Sequence, residues 1–197
     1  MTEEYKNTIR NTMKKTRSKL SNSYRCRCSE QISNRIETLD QYKKAKRVAL
    51  YQAINGEVDL SLVWKNTVDQ EKQCYFPVLK DDLSLLFLPA TPKTEFKANK
   101  YNILEPVVDI QSAIEVSDLD IIFMPLVAFD VMCNRIGMGA GYYDRTLENK
   151  KKCKLYGVAY QFQRVDYIES DSWDVPLDSV ITQRAIYWRE TPQDDPD

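Results

Sequence analysis

The sequence of 197 residues contains no histidine. This absence excludes Ser-His and Cys-His nucleophilic catalysis, and it also excludes metal sites built on histidine ligands. Any chemistry must therefore use carboxylates, cations, backbone amides and hydroxyls, or a hard cation bound by oxygen ligands. Phosphoryl transfer suits these groups, because positioning and charge neutralisation supply most of its catalysis.

Cysteine offers no alternative metal site. The five cysteines are odd in number, and the close pair Cys26 and Cys28 has no second pair at zinc-site spacing. We expect all five to be reduced thiols in a reducing compartment.

The sequence also lacks long apolar runs. None approaches the ~18 residues that a membrane span needs, and the N-terminus MTEEYKNTIRN has no apolar segment of the signal-peptide type. We therefore expect a cytoplasmic protein with no membrane partner.

No excess of charge of either sign points to a polyanionic partner. Lys and Arg total 28 against 29 acidic residues, which gives a net charge of -1. Such a chain has no bulk attraction to nucleic acid, and no nucleic-acid-binding motif is recognisable. We expect small-molecule substrates, no nucleic acid partner, and a monomer.

The order of hydrophobic patterns predicts an α/β protein. Helical spacing in the first 40 residues is followed by an apolar strand pattern at Arg47–Ile54, which ends at Asn55-Gly56. A helix is predicted over residues 58–67, and the strongest strand pattern is Asp120–Pro125. Further strands are predicted at residues 73–77, 83–88, 155–160 and 179–182, and a helix is predicted to end near Leu147.

Strands that alternate with helices favour a three-layer α/β/α domain with a largely parallel central sheet. We expect residues 1–190 to form this single domain. Residues 191–197 are acidic and contain two prolines, and we expect them to be a disordered tail.

Glycine is scarce, and its distribution is the most informative feature. Only five glycines occur, and Gly137, Gly139 and Gly141 fall within five residues, between a strand-like and a helical segment. Such a turn can hold an anion with free backbone amides and the helix dipole. A tight structural turn would use the same residues, so the spacing alone leaves both interpretations open.

The flanks of this turn favour a phosphate ligand. Arg135 can bind phosphate oxygens through two N–H groups, Tyr142 and Tyr143 offer aromatic faces, and Asp144 is a natural Mg²⁺ ligand. The spacing differs from the P-loop, and the third glycine comes one position too early for the dinucleotide fingerprint.

Other candidate residues lie far from the turn in sequence. Lys6 and Arg10 share a helix face with Lys14, although most such basic stripes are solvated surface. Asp174 and Asp178 could be ligands or capping carboxylates. Glu57 follows a predicted strand at the place where α/β sheets contact ligands, but a surface turn remains an alternative.

Together these residues resemble the 5-formyltetrahydrofolate cyclo-ligase family, over about residues 6–182. The most specific match is Arg135-Ile136-Gly137-Met138-Gly139-Ala140-Gly141-Tyr142-Tyr143-Asp144, which agrees with the family pattern at every fixed position. Lys6 and Arg10 match the family's N-terminal Lys-x-x-x-Arg, and Glu105-Pro106 matches a Glu-Pro element. The family's late His-Asp, followed four residues on by Asp, is Trp173-Asp174 and Asp178 here, so the histidine is replaced while the metal-ligand candidate is kept.

The resemblance implies an ATP- and Mg²⁺-dependent conversion of 5-formyltetrahydrofolate to 5,10-methenyltetrahydrofolate. It implies catalytic roles for Lys6, Arg10 and Arg135. It implies ATP contacts from Lys6, Arg10, Arg135, Ile136, Gly137, Met138, Gly139, Ala140, Gly141, Tyr142 and Tyr143. It implies folate contacts from Gln52, Glu57, Met138, Gly139, Ala140, Gly141 and Tyr142, and metal ligation by Asp144 and Asp174.

Two other functions remain open from the sequence. One is an ATP-dependent kinase or ligase that acts on another small metabolite with the same turn. The other is a folate- or nucleotide-binding regulator without turnover, which the retention of Arg135, Asp144 and Asp174 disfavours.

Overall fold

A computed structural model describes residues 1–148 and 152–190. The predicted tail at 191–197 lies outside the described residues. The helices are α1 (Glu3–Ser18), α2 (Asn22–Thr38), α3 (Asp40–Lys44), α4 (Ser61–Asp69) and α5 (Tyr142–Leu147). The strands are β1 (Arg47–Ala49), β2 (Gln73–Leu79), β3 (Leu85–Ala90), β4 (Phe96–Ala98), β5 (Leu104–Pro106), β6 (Ile121–Pro125), β7 (Ala128–Phe129), β8 (Arg135–Ile136), β9 (Lys154–Val158), β10 (Ser179–Ile181) and β11 (Ile186–Trp188).

The N-terminal helices begin at side-chain caps. The hydroxyl of Thr2 accepts a hydrogen bond from the amide of Tyr5 at the start of α1, and Glu3 and Glu4 occupy its first turn. The hydroxyl of Ser21 accepts one from the amide of Tyr24 at the start of α2. These bonds satisfy amides that have no partner within the helix, and acidic residues in the first turn favour the helix dipole. The predicted helices of the first 40 residues are therefore confirmed.

Seven strands form the central sheet, in the order β11-β10-β9-β6-β1-β2-β3. The four inner pairs, from β10 to β2, are parallel, whereas β3 and β11 each join an edge in the antiparallel sense. The predicted largely parallel α/β sheet is confirmed. The sequence analysis did not predict β11, an edge strand of three residues.

Several predicted boundaries were wrong. The strand predicted for residues 47–54 ends at Ala49, and the chain then leaves the sheet towards its carboxyl edge. The helix predicted for residues 58–67 begins instead at Ser61, because the side chain of Asp59 accepts hydrogen bonds from the amide and hydroxyl of Ser61. Asp59 thus delays the helix by offering these groups a local partner.

The two faces of the sheet bury separate cores. Alternate residues of β6 point to opposite sides: Ile121 and Phe123 pack with α2, α3 and α4, while Ile122 and Met124 pack with α5 and the loops beside it. The first face is covered by three helices, and the second is covered mainly by the short α5, single helical turns and loops. This gives three layers with a thinner cover on one side.

The first helix and a small hairpin close one end of the sheet. Ile9 of α1 packs on Val127, Ala128 and Ile136, which belong to or adjoin the β7–β8 hairpin. Because β8 leads directly into the glycine-rich turn, this contact brings α1 against that turn. Within the described residues, no helix is both long and apolar enough to cross a membrane.

Candidate active site

A cavity of about 640 Å³ opens beyond the carboxyl ends of β1 and β6. In sheets of this kind, ligands bind at the carboxyl edge of the strands. All the residues that the sequence analysis assigned to contacts with ATP, folate or metal line this one cavity. They are Lys6, Arg10, Gln52, Glu57, residues 135–144 and Asp174. The tertiary structure thus brings together groups that are up to 168 positions apart in the sequence (Lys6 and Asp174).

Two of the three glycines in the turn adopt conformations that side chains disfavour. Gly139 has a φ of +103° and Gly141 a φ of +72°, whereas Gly137 is not in the left-handed region. No amide of residues 137–141 donates a hydrogen bond to another group of residues 1–148 or 152–190. A run of such amides beside a cavity is suited to an anion.

The helix after the turn, α5, can contribute less to holding an anion than the sequence suggested. α5 has six residues, so its dipole is short. An anion bound at this place would therefore depend on the turn amides and on neighbouring cations. One of these, Arg10, lies directly on the turn, because its Nε donates to the carbonyl oxygen of Gly137 at 3.0 Å.

Each predicted phosphate-binding cation is held by a carboxylate. The pairs are Lys6 Nζ–Asp171 Oδ2 (2.6 Å), Arg10 Nη1–Glu3 Oε1 (2.5 Å) and Arg135 Nη2–Asp144 Oδ1 (2.5 Å). The cations are largely buried, with 10%, 13% and 6% of their side chains exposed. Buried cations need such partners, and an anionic ligand can take the place of the carboxylates.

The predicted metal ligands lie on adjoining segments of this wall. Oδ1 of Asp144 also accepts a hydrogen bond from the amide of Val175 at 3.1 Å, which places the residue after Asp174 against Asp144. Oδ2 of Asp174 accepts a hydrogen bond from the amide of Asp171 at 2.9 Å. Among residues 1–148 and 152–190, no three cysteine or acidic side chains form a metal cluster.

Asp178 lies elsewhere. Its carboxylate accepts hydrogen bonds from Lys154 Nζ at 3.0 Å and from the amide of Leu155 at 2.8 Å. These contacts join the loop before β10 to β9. Of the two late aspartates considered in the sequence, only Asp174 lines the cavity.

Glu57 supplies a buried carboxylate on another wall. Its side chain is 5% exposed, Oε2 accepts a hydrogen bond from the amide of Ile54 at 3.1 Å, and Arg17 lies behind it. Burial raises the pKa of Glu57 to about 7, although the Ile54 amide and the Arg17 charge both act to lower it. This carboxylate therefore changes charge near neutral pH. Gln52 lies nearby on the same cavity, half-buried.

The sequence missed the hairpin that forms another cavity wall. Ile103 and Leu104 line the cavity at the turn and second strand of β4–β5. Oε1 of Glu105 accepts hydrogen bonds from the amide of Leu79 at 2.9 Å and from Nδ2 of Asn99 at 2.7 Å, which fixes the hairpin to β2. The Glu-Pro motif was visible in the sequence, but its anchoring role was not.

Two rim residues were also missed. Asp171 pairs with Lys6, although nothing in its local sequence marks it as a partner. Trp173, at the position of the family histidine, lines the cavity with 69% of its surface exposed. Its replacement of a histidine was the available signal that this position faces a site.

Comparisons with known proteins identify the family to which this chain is similar. Residues 2–183 match the 5-formyltetrahydrofolate cyclo-ligase family. A 5-formyltetrahydrofolate cyclo-ligase from Haemophilus influenzae is 37% identical over 177 residues, which cover 88% of this chain and 95% of the relative. One from Escherichia coli is 35% identical over 162 residues, which cover 80% of this chain and 89% of the relative.

The fold is also similar to a solved structure. The NMR structure of 5,10-methenyltetrahydrofolate synthetase from Aquifex aeolicus superposes with a TM-score of 0.85 at 32% identity. The superposition covers 98% of this chain and 96% of that protein.

Proposed function

The chain belongs to the 5-formyltetrahydrofolate cyclo-ligase family and is a ligase, and we propose that it uses ATP to convert 5-formyltetrahydrofolate to 5,10-methenyltetrahydrofolate. One observation carries the proposal: a single cavity joins an unbonded run of turn amides and buried cations to a buried carboxylate and apolar walls. Such a cavity suits two ligands that must react with each other.

The polar end of the cavity is assigned to ATP. Lys6, Arg10 and Arg135 would contact the phosphates, together with residues 136–143. The support is that these three cations line the cavity beside the turn, with carboxylate partners that phosphate oxygens can replace. Asp171, Glu3 and Asp144 hold the cations in place before ATP arrives, which limits the reorganisation that binding requires.

The end near Glu57 is assigned to the folate. The ionised carboxylate of Glu57 would accept hydrogen bonds from the amino and ring N–H groups of the pterin. Gln52 and residues 138–142 would complete the folate contacts. Apolar side chains that also line the cavity, among them Pro77, Leu79 and Leu85, suit the aromatic part of the molecule.

The donor set fits Mg²⁺ bound together with ATP. Asp144 and Asp174 offer carboxylate oxygens, and Mg²⁺ in phosphate sites commonly uses one or two carboxylates with phosphate oxygens and water. Asp144 and Asp174 would hold the ion, which would neutralise charge on the transferring phosphate. The pairing of Asp144 with Arg135 puts this carboxylate beside a proposed phosphate-binding cation.

The protein's residues position the two substrates and neutralise negative charge, and none of them acts as the nucleophile. The formyl oxygen of the substrate attacks the γ-phosphorus in line, and the bond from that phosphorus to ADP breaks. N10 then attacks the activated carbon and loses its proton, and the C–O bond breaks to release phosphate. Both nucleophiles belong to the substrate, which agrees with a chain that has no histidine. Lys6, Arg10, Arg135 and the turn amides stabilise the charge on the transferring phosphate.

A direct assay tests the proposal. Purified protein is mixed with 5-formyltetrahydrofolate and Mg·ATP, and the absorbance of the methenyl product is followed, with ATP omitted as the control. ATP-dependent product with equimolar ADP supports the proposal. ATP hydrolysis or transfer without methenyl product would favour a kinase or ligase for another metabolite. Binding of both ligands without turnover would favour a regulator.

A further inference from the structure

Arg17 is a buried cation placed directly behind the turn that carries Glu57. Its side chain is 1% exposed, and Nη1 lies 3.7 Å from Oε1 of Glu57, whose side chain is 5% exposed. A second contact of Nη1 is the carbonyl oxygen of Leu126 at 3.5 Å. A guanidinium buried this deeply is costly to keep without a carboxylate partner.

Backbone packing fixes this arrangement. A Cβ added at Gly56 would lie 3.1 Å from the carbonyl oxygen of Arg17, so α1 touches the turn immediately before Glu57. Gly56 itself has a φ of +73°. The helix that presents Lys6 and Arg10 to the cavity therefore also supports Glu57 through Arg17.

The two oxygens of Glu57 are held from different sides. Oε2 accepts from the amide of Ile54, and Oε1 faces Arg17. The other titratable groups around Glu57 are tyrosines: the charge of Glu57 raises the pKa of Tyr51 and Tyr143, as burial does more strongly. The hydroxyl of Tyr160 donates to the backbone oxygen of Glu57. These tyrosines are neutral near pH 7, so Arg17 supplies the positive charge.

We infer that Arg17 is a positioning residue that favours the charged form of Glu57 and holds its carboxylate towards the cavity, so that it accepts hydrogen bonds from an N–H-bearing heterocycle such as the pterin. This inference rests on the proposed function, which assigns the folate to Glu57. Arg17 is not among the residues that line the cavity, so we expect it to make no contact with substrate. Its effect on catalysis passes through Glu57.

The first test compares Arg17→Met with Arg17→Lys. Glu57 has a pKa of about 7 in the wild type, and loss of the cation favours its protonated form, so Arg17→Met should raise the KM for 5-formyltetrahydrofolate by about fivefold at pH 7 for the first unit of pKa change. The increase should become larger as the pH falls, while kcat and the KM for ATP stay within about twofold. Arg17→Lys should restore most of the folate affinity. Comparing variant with wild type at each pH cancels the ionisation of the substrates.

The second test uses Glu57→Gln. Its KM for 5-formyltetrahydrofolate should be higher than that of wild type, and the plot of this KM against pH should lack the inflection due to ionisation of Glu57. Adding Arg17→Met to this variant should not change the KM further. Additive effects of the two substitutions, or an equal increase in the KM for ATP, would overturn the inference. If Arg17→Met does not fold, the double variant with Arg17→Met and Glu57→Gln tests the inference in its place. It should fold because both buried charges are gone, and its failure to fold beside a folded Glu57→Gln would also overturn the inference.

The proposed function and this inference can fail separately. If wild type forms no methenyl product, the proposed function fails. Titration of 5-formyltetrahydrofolate binding to wild type and Arg17→Met across pH then still tests the link between Arg17 and Glu57. If wild type turns over and the two pH profiles coincide, only the inference fails.

Discussion

Nη2 of Arg135 lies 2.5 Å from Oδ1 of Asp144, at opposite ends of the glycine-rich turn. The same carboxylate oxygen accepts from the amide of Val175, and another N–H of Arg135 donates to the carbonyl oxygen of Val175. The two side chains therefore close the turn and attach the Asp174 segment to it. This pair joins the proposed phosphate and metal sites.

Asp144→Asn should lower turnover by about 10–100-fold and raise the Mg²⁺ concentration that gives half-maximal rate, since a metal-ligand charge is lost. The measurement is the initial rate of product formation against free Mg²⁺ at saturating ATP. Asp178→Asn is the matched control, because Asp178 binds Lys154 and the amide of Leu155 away from the cavity. Near-wild-type turnover of Asp144→Asn at limiting Mg²⁺ would exclude Asp144 as a metal ligand.

Lys6→Ala should raise the KM for ATP by about tenfold, because a charge-assisted contact to phosphate is lost. The folate KM should change little. Lys14→Ala is the control: Lys14 shares the helix row but is exposed and does not line the cavity. Steady-state kinetics with each substrate varied in turn gives both constants. A change confined to the folate KM would remove Lys6 from the ATP site.

Alanine at Gly139 and at Gly137 should have different effects on stability. Gly139→Ala places a side chain at a φ of +103° and should cost about 1–3 kcal/mol of unfolding free energy. An added Cβ at Gly137 meets no atom within 4 Å, so Gly137→Ala should fold with nearly wild-type stability. Urea unfolding measures both.

The same pair of variants reports on ligand contact. If ATP approaches the backbone at Gly137, Gly137→Ala should still raise the KM for ATP, although the free protein has room for the methyl group. An unchanged KM for ATP in that variant would show that the nucleotide does not approach the turn at this residue.

Because of Glu57, the free energy of unfolding should decrease as the pH rises from about 4.5 to about 7. Burial raises its folded-state pKa from 4.5 to about 7. The folded protein therefore binds the proton more tightly than the unfolded chain does. The resulting stabilisation is fully present below pH 4.5 and is lost as the pH rises through 7. Its size is about 3 kcal/mol, from 1.36 kcal/mol for each pKa unit.

Urea unfolding at pH 5 and at pH 7.5 checks this prediction. Glu57→Gln should show a smaller decrease in stability between these two values than wild type. The comparison is favourable because the chain has no histidine, the side chain whose ordinary pKa falls in this range. Equal decreases in both proteins would contradict the raised pKa of Glu57.

The sequence determined the local features of this protein, because they depend on neighbouring residues. Helix caps, buried strands and the glycine-rich turn follow from spacing and residue type, and the turn together with Lys6, Arg10, Asp144 and Asp174 was sufficient to indicate the family. The absence of histidine likewise restricts the possible chemistry by composition alone.

Only the tertiary structure decided which groups became partners. The pairing of Lys6 with Asp171, of Arg17 with Glu57, and of Glu105 with the end of β2 joins residues far apart in the sequence. No local pattern encodes such contacts, because they arise where α1, the hairpin and the late loops meet at the carboxyl edge of the sheet. Burial at that edge also sets the charge of Glu57, since desolvation depends on everything packed around a carboxylate.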